Sequence, residues 1–160
     1  MPKSDRFSTS NQVNARLLGK YHSIATNLDK CVFCDLRDKY VVTKTSGWVL
    51  TANIFPYING QLLILPERHL ENFRELSPKD IITSHDLIIK GTKLLKRKLN
   101  IKNYWLVMRQ GEAAGKTVKH LHWNIMPYVE GLNTWHYQAI TVEPMSLAKI
   151  LRKALEDERA

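Results

Sequence analysis

His120, Leu121, His122, Trp123, Asn124 and Ile125 alternate polar and apolar side chains with a period of two, with Met126 and Pro127 following. On a β-strand successive side chains point to opposite faces, so the pattern gathers His120, His122 and Asn124 on one face and Leu121, Trp123 and Ile125 on the other. Same-face neighbours stand about 6.5–7 Å apart. One imidazole can then attack a substrate while its neighbours hold that substrate or brace the attacker. The expected arrangement buries the apolar face and turns the two imidazoles and the amide outward.

The loop before this run, residues 110–117, holds Gly111, Gly115, Lys116 and Thr117. Two glycines permit tight turns and close backbone approach to a ligand, and the lysine and threonine add a cation and a hydroxyl. Such a loop can cradle phosphate. It is not a Walker A loop, because the glycines are too close together and no Gly-Lys-Ser/Thr helix start follows. Cys31 and Cys34 sit three apart, a spacing found in metal and redox motifs of reducing compartments and too tight for a long-loop disulfide.

The elements that must position these groups follow from periodicity. Leu17, Leu18, Tyr21, Ile24, Ala25 and Leu28 recur at helical spacing, with Gly19 weakening the pattern. Residues 40–45, 48–52 and 61–65 are β-rich and are separated by the turn pairs Ser46-Gly47 and Asn59-Gly60. Ser77 and Pro78 suit an N-cap and a first helical turn. The helix they open should carry Ile81, Ile82, Ile88, Ile89, Leu95 and Leu99 on its apolar stripe and run to about Asn100. Strands over 104–109 and 120–126 follow, then a short helix after Pro144 with Leu147, Ile150, Leu151, Ala154 and Leu155 inward. This succession predicts an α+β domain with a mostly antiparallel sheet, a long helix between the strands and a short C-terminal helix.

At 160 residues the chain has the size of one domain, and no repeat or low-complexity linker divides it. Residues 1–10 are expected to form a loose tail and 11–160 a single domain. No apolar run approaches the ~18–20 residues of a membrane span, and the start has no signal-peptide core, so a soluble cytoplasmic protein is expected. The 24 Lys and Arg against 15 Asp and Glu give a net charge of +9. That balance favours polyanionic partners: nucleotides, nucleic acid or acidic surfaces. Lys90, Lys93 and Arg97 share a face of the long helix, with Lys96, Lys98 and Lys102 nearby. Such a stripe could track a nucleic-acid backbone, although a charge run is usually a solvated face and no aromatic interleaving accompanies it.

Three blocks carry a resemblance. The run from Gly115 through Lys116, Thr117, His120, His122 and Asn124 to Pro127 resembles the signature of the histidine triad (HIT) superfamily of nucleotide hydrolases and transferases. The stretch from Ala52 and Asn53 through Gly60 to Pro66 is similar to that family's Asn-to-Gly turn and following strand, and the Cys31/Cys34 pair precedes it in the family's order. The resemblance implies the HIT-like α+β fold, usually a homodimer joined through the long helix and an adjoining strand. It also implies cleavage at the α-phosphate of a nucleotide or dinucleoside polyphosphate, by hydrolysis or phosphorolysis. His122 takes the place of the family's nucleophile, which forms a nucleotidyl-histidine intermediate. Asn53 stands where the ribose hydroxyls are held, and Arg109, Lys116 and Thr117 fall among the phosphate contacts. Phe33 and Val49 would lie near the base.

In zinc-bearing members the first triad histidine is a metal ligand, so the resemblance implies a structural Cys₂His₂ zinc on Cys31, Cys34, His69 and His120. The third triad position departs from the pattern, because Asn124 replaces histidine. An amide can donate to a phosphate oxygen but cannot supply a proton as imidazolium does. In the transferase and phosphorylase branches this place is commonly glutamine, so the resemblance implies a preference for good leaving groups such as polyphosphates. Two other readings stand beside this one: action on adenylylated nucleic-acid ends, and non-catalytic nucleotide binding with Asn124 marking lost activity. His22, His85 and His136 lie outside the matched blocks and are expected to be ordinary surface or packing residues.

Overall fold

Five strands, β1 (Val41–Thr45), β2 (Trp48–Ala52), β3 (Leu62–Pro66), β4 (Tyr104–Met108) and β5 (Trp123–Pro127), form one antiparallel sheet in the order β1-β2-β3-β5-β4. The structure is a computed structural model and describes residues 14–26, 30–136 and 138–159; the tail expected over residues 1–10 lies outside them. A short helix α1 (Tyr21–Thr26) precedes the sheet, α2 (Pro78–Leu99) is inserted between β3 and β4, and α3 (Pro144–Asp157) follows β5. The α+β class, the antiparallel sheet and both longer helices agree with the periodicity.

Local chemistry explains the element ends. Ser46 and Gly47 both take positive φ, 49° and 77°, which gives the two-residue turn a twist that matches the β1 and β2 strands it joins. At the start of α2 the Ser77 hydroxyl accepts from the Asp80 N–H while the Asp80 carboxylate accepts from the Ser77 N–H, a reciprocal capping box with Pro78 in the first turn. Asn100 closes the helix in the left-handed region at φ 55°.

Period-two alternation divides the sheet into two faces. Leu50, Leu62, Ile64 and Ile125 join Leu87, Leu94 and Leu95 of α2 and Leu147, Leu151 and Ala154 of α3 in the main core. Each such aliphatic side chain contributes about 1.5–3 kcal/mol on full burial. Gly91 lets α2 lie close to the sheet: a Cβ there would meet the Ile125 Cδ1 at 3.0 Å and the Leu50 Cδ1 at 3.2 Å. On the opposite face Val41, Val49, Leu63 and Leu65 make a smaller cluster with Phe33. That second face carries the candidate site. Asn124 sits on it between two strands, paired with Leu63 of β3 and Val107 of β4.

Four expectations need correction. The helix predicted through residues 17–28 is reduced to α1, because Gly19 at φ 68° ends the preceding turn and leaves Leu17 and Leu18 about half exposed; Leu28 lies outside the described residues. In α2, Ile81, Ile82 and Ile89 are exposed, whereas Leu87, Ile88, Gly91, Leu94 and Leu95 face inward. Positions 87, 88, 91, 94 and 95 keep the three-and-four spacing of one stripe, and Ile82 and Ile89 fall on the side of the helix away from it, with Ile81 at its margin. Ile150 of α3 is exposed for the same reason, beside the inward Leu151. Finally, regular pairing in the last strand begins at Trp123, so His120, in a bend, and His122 belong to the segment leading into β5. No described helix is long and apolar enough to cross a membrane.

Candidate active site and metal centre

His120 is fully buried, and its Nε2 lies 2.8 Å from the Pro66 carbonyl. The oxygen can only accept, so Nε2 carries the proton and Nδ1 the lone pair. His122 is fixed in the opposite sense. Its Nδ1 donates to the His120 carbonyl over 2.8 Å, which leaves the neutral ring a lone pair on Nε2. Burial, partly offset by that hydrogen bond, pushes the His122 imidazole down to about 4, and the nearby Lys116 and Arg109 cations push the same way. The ring is therefore neutral at pH 7 and nucleophilic at Nε2. The Phe33 ring stands edge-on to it, centroids 4.9 Å apart. The polar face does not look out to solvent as its pattern suggests, because Phe33 and the segment around Arg16 and Tyr21 roof it into a cavity.

Two amides lie beyond His122, and backbone groups fix both. The Tyr57 N–H donates to the Gln61 Oε1 at 2.7 Å, so the Gln61 Nε2 must be the donor to the Asn124 Oδ1 at 3.0 Å. Asn124 then directs its Nδ2 to the Val107 carbonyl at 3.2 Å. An amide nitrogen has two hydrogens, and this chain consumes one of them. The second is available to an acceptor in the cavity that Asn124 lines. Gln61, 1% exposed, was not among the residues singled out from sequence, where it reads as the first residue of a strand.

The cavity encloses about 610 Å³, mouth included, which suits a nucleotide-sized ligand. Asn53, Phe33, Arg109, Thr117, His122 and Asn124 all line it. Asn53 accepts the Phe55 N–H at its Oδ1, 3.0 Å away, and the Thr117 and Tyr21 hydroxyls are 2.6 Å apart. Arg109 donates to the Gly115 carbonyl at 3.1 Å, at the left-handed glycine that closes the loop. Lys116 does not line the cavity; its ammonium donates to the Glu71 carbonyl. Val49 lies in the apolar cluster with Phe33 rather than on the cavity wall. Arg16, Tyr21 and Tyr57 do line it, and sequence reasoning missed all three. The basic residues on α2 are elsewhere, and Arg97 is engaged by Glu158 and the Ala154 carbonyl.

Ahead of His120, the ligand atoms of Cys31, Cys34, His69 and His120 lie within 4.8 Å of one another. The Cys31 and Cys34 sulfurs are 3.5 and 3.6 Å from the His120 Nδ1, and the Cys34 sulfur is 3.3 Å from the His69 Nδ1. Usual Zn–S and Zn–N bonds at the tetrahedral angle give S···N edges of about 3.5 Å. Both histidines offer the correct nitrogen: His120 donates through Nε2 to Pro66, and His69 faces Glu71 through Nε2 at 3.1 Å. A carboxylate or carbonyl behind each imidazole orients the lone pair toward the sulfurs. Among the described residues this is the cluster whose donor set fits a closed, four-coordinate metal site.

Residues 36–131 match the HIT domain family. An uncharacterised HIT-like protein of Methanocaldococcus jannaschii is 30% identical over 63% of this chain and 81% of its own. The adenosine 5'-monophosphoramidase of Schizosaccharomyces pombe is 26% identical over 61% and 73%. Among solved structures, a Zn-bound histidine triad family protein from Mycobacterium smegmatis superposes with a TM-score of 0.68 at 18% identity, covering 84% of this chain and 97% of that one. The diadenosine triphosphate hydrolase of Plasmodium falciparum gives 0.65 at 16% identity over 78% and 82%. The structural likenesses establish the fold, and the sequence match covers more than half of the residues, so this chain belongs to the HIT domain family.

Proposed function

We propose that this chain cleaves the α-phosphate linkage of a nucleoside or dinucleoside polyphosphate through a nucleotidyl-histidine intermediate. The observation that carries the reading is the tautomer of His122, a neutral ring whose Nδ1–H is tied to a carbonyl and whose Nε2 lone pair belongs to a cavity with two arginines and no carboxylate. The His122 Nε2 forms a bond to the α-phosphorus as the bond to the leaving oxygen breaks. Water or inorganic phosphate then attacks that phosphorus, and the P–N bond breaks. Asn124 supplies an N–H to a phosphate oxygen, Asn53 holds the ribose, and Arg109 and Thr117 hold phosphate. Relatives that cleave a phosphoramidate or a dinucleoside polyphosphate support the class of chemistry.

The Cys31, Cys34, His69 and His120 set is proposed to hold a structural zinc. When bound, the ion would cross-link the segment around Cys31 and Cys34 to His120, two residues before the nucleophile. A second copy of the chain is the proposed partner for the face that β4 leaves exposed. β4 is an edge strand with Tyr104, Trp105 and Leu106 each at least 41% accessible. A monomer mass by light scattering would remove that partner.

Incubation with diadenosine tetraphosphate, with and without inorganic phosphate, tests the reaction. AMP with ATP means hydrolysis, and ADP formed only when phosphate is added means phosphorolysis. Absence of any cleavage, with nucleotide bound, would leave the non-catalytic reading.

A further inference from the structure

Arg16 lies outside the residues matched to the family, in a turn that precedes α1. The turn is anchored by backbone bonds from the Leu18 N–H to the Asn14 carbonyl and from the Lys20 N–H to the Ala15 carbonyl. Asn14 also accepts the Ile140 N–H at its side-chain oxygen, 3.1 Å away, which fastens the turn to a distant segment. The guanidinium of Arg16 is clamped. Its central carbon sits 3.7 Å from the ring centroid of Tyr21 and 3.7 Å from that of Tyr57, and its Nε donates to the Phe55 carbonyl at 2.7 Å.

Arg16 is only 8% exposed, lines the cavity and makes no ion pair among the described residues. A buried cation without a counter-charge is costly, and aromatic faces offset only part of that cost. Its two terminal amino groups have no protein acceptor among the described residues. Arg109 sits nearby, its central carbon 5.6 Å from the Tyr57 centroid and 5.1 Å from that of Trp135. Arg16 and Arg109 thus share the Tyr57 ring, both line the cavity, and no Asp or Glu lines it to neutralise them. The cavity wall therefore carries two fixed positive charges for an anionic ligand to meet.

We propose that Arg16, stacked between Tyr21 and Tyr57, forms a second anion subsite that binds a phosphate beyond the one attacked by His122. This inference rests on the nucleotide reading above. The stacked guanidinium presents a fixed planar edge of donors, which suits two oxygens of one phosphate and costs little ordering on binding. The subsite selects nucleotides by the length of the phosphate chain. It adds nothing for a nucleoside monophosphate, whose single phosphate lies at His122.

The test compares AMP with α,β-methylene-ATP, which shares its base, ribose and first phosphate and resists cleavage there. Binding of each to the full chain is measured by calorimetry for the wild type, Arg16→Met and Arg16→Lys. The account predicts that Arg16→Met weakens α,β-methylene-ATP about tenfold or more and leaves AMP unchanged. Arg16→Lys should recover part of that loss, because the charge remains while the stacked planar donor edge does not. Inorganic tripolyphosphate should displace α,β-methylene-ATP from the wild type and do so more weakly from Arg16→Met. Equal weakening of both nucleotides, in variants that keep the wild-type near-ultraviolet dichroism, would overturn the subsite and make Arg16 a support for the common part. No change in either would overturn it as well. Failure of the wild type to bind any of these nucleotides would instead sink the nucleotide reading itself.

Discussion

Gln61 donates to Asn124 across 3.0 Å, and that bond together with the Val107 carbonyl determines which atom of the Asn124 amide carries the spare N–H. The Tyr57 N–H at one end of the pair and the Val107 carbonyl at the other leave neither amide free to flip. Gln61→Met should leave the Tyr57 N–H and the Asn124 oxygen unpaired, costing about 1–3 kcal/mol of stability. It should also lower kcat several-fold more than it raises KM, since Asn124 would keep only its bond to the Val107 carbonyl to fix its donor direction. Thermal unfolding and steady-state kinetics on the same preparation check both parts. A stability loss with unchanged kcat would make Gln61 structural only.

Asn124 has no proton to give a poor leaving group, so the enzyme should favour polyphosphates over adenosine phosphoramidates with alkylamine leaving groups. Asn124→His places an ionisable ring beside His122 and should narrow that preference. The quantity to compare is the ratio of kcat/KM for the two substrate classes, because the substitution can also slow both by disturbing phosphate placement. A ratio unmoved in an otherwise active variant contradicts the role given to the amide.

Zinc analysis of reduced, purified protein should find about one ion per chain, and Cys31→Ser or Cys34→Ser should lower Tm well beyond a surface control such as Lys79→Ser. A strong chelator should lower the wild-type Tm and leave the cysteine variants unmoved. Protein free of metal after gentle preparation would refute the assignment.

Asp80 ties the site-bearing sheet to the start of α2. Its carboxylate accepts from Arg68 at 2.7 Å, from the Ser77 N–H and hydroxyl at 2.8 and 2.7 Å, and from the Trp48 indole at 3.0 Å. The Arg68 guanidinium first, then Ser77 and Trp48, hold this carboxyl far below the usual carboxylate range against the opposing effect of burial. A folded pKa below the unfolded one means stability that is fully present above about pH 4 and is lost as pH falls toward the folded value. Asp80→Asn should therefore cost about 2 kcal/mol at pH 7, with the gap to wild type shrinking below about pH 4. Urea melts at both pH values check this, and a gap independent of pH would assign the loss to shape rather than charge.

What the sequence disclosed depended on how local each signal was. The spacing of His120, His122 and Asn124, the Cys31/Cys34 pair and the Ser77-Pro78 start are written within a few residues; in the fold His122 and Asn124 line one cavity while His120 joins Cys31 and Cys34. Gln61 and Arg16 carried no such mark. Each acts through a partner distant in sequence, Asn124 for the one and Phe55 for the other, so only folding reveals them. Lys116 was legible as a cation beside the histidines, but its direction was not, because the Glu71 carbonyl that holds it lies in another loop. The Ile-Ile pairs of α2 misled for a simpler reason: the buried stripe runs through 87, 88, 91, 94 and 95, and Ile82 and Ile89 lie off it.

The central claim is that the His122 Nε2 becomes bonded to phosphorus. Acid-labile linkages of this kind survive an alkaline quench, so the measurement is mass analysis of protein mixed with diadenosine tetraphosphate and quenched at high pH within the first turnover. The account predicts an added adenylyl group on the peptide that contains His122, absent in His122→Ala, together with loss of turnover in that variant and retained binding of AMP. Substantial turnover by His122→Ala, or an adenylyl group on any other residue, would contradict it.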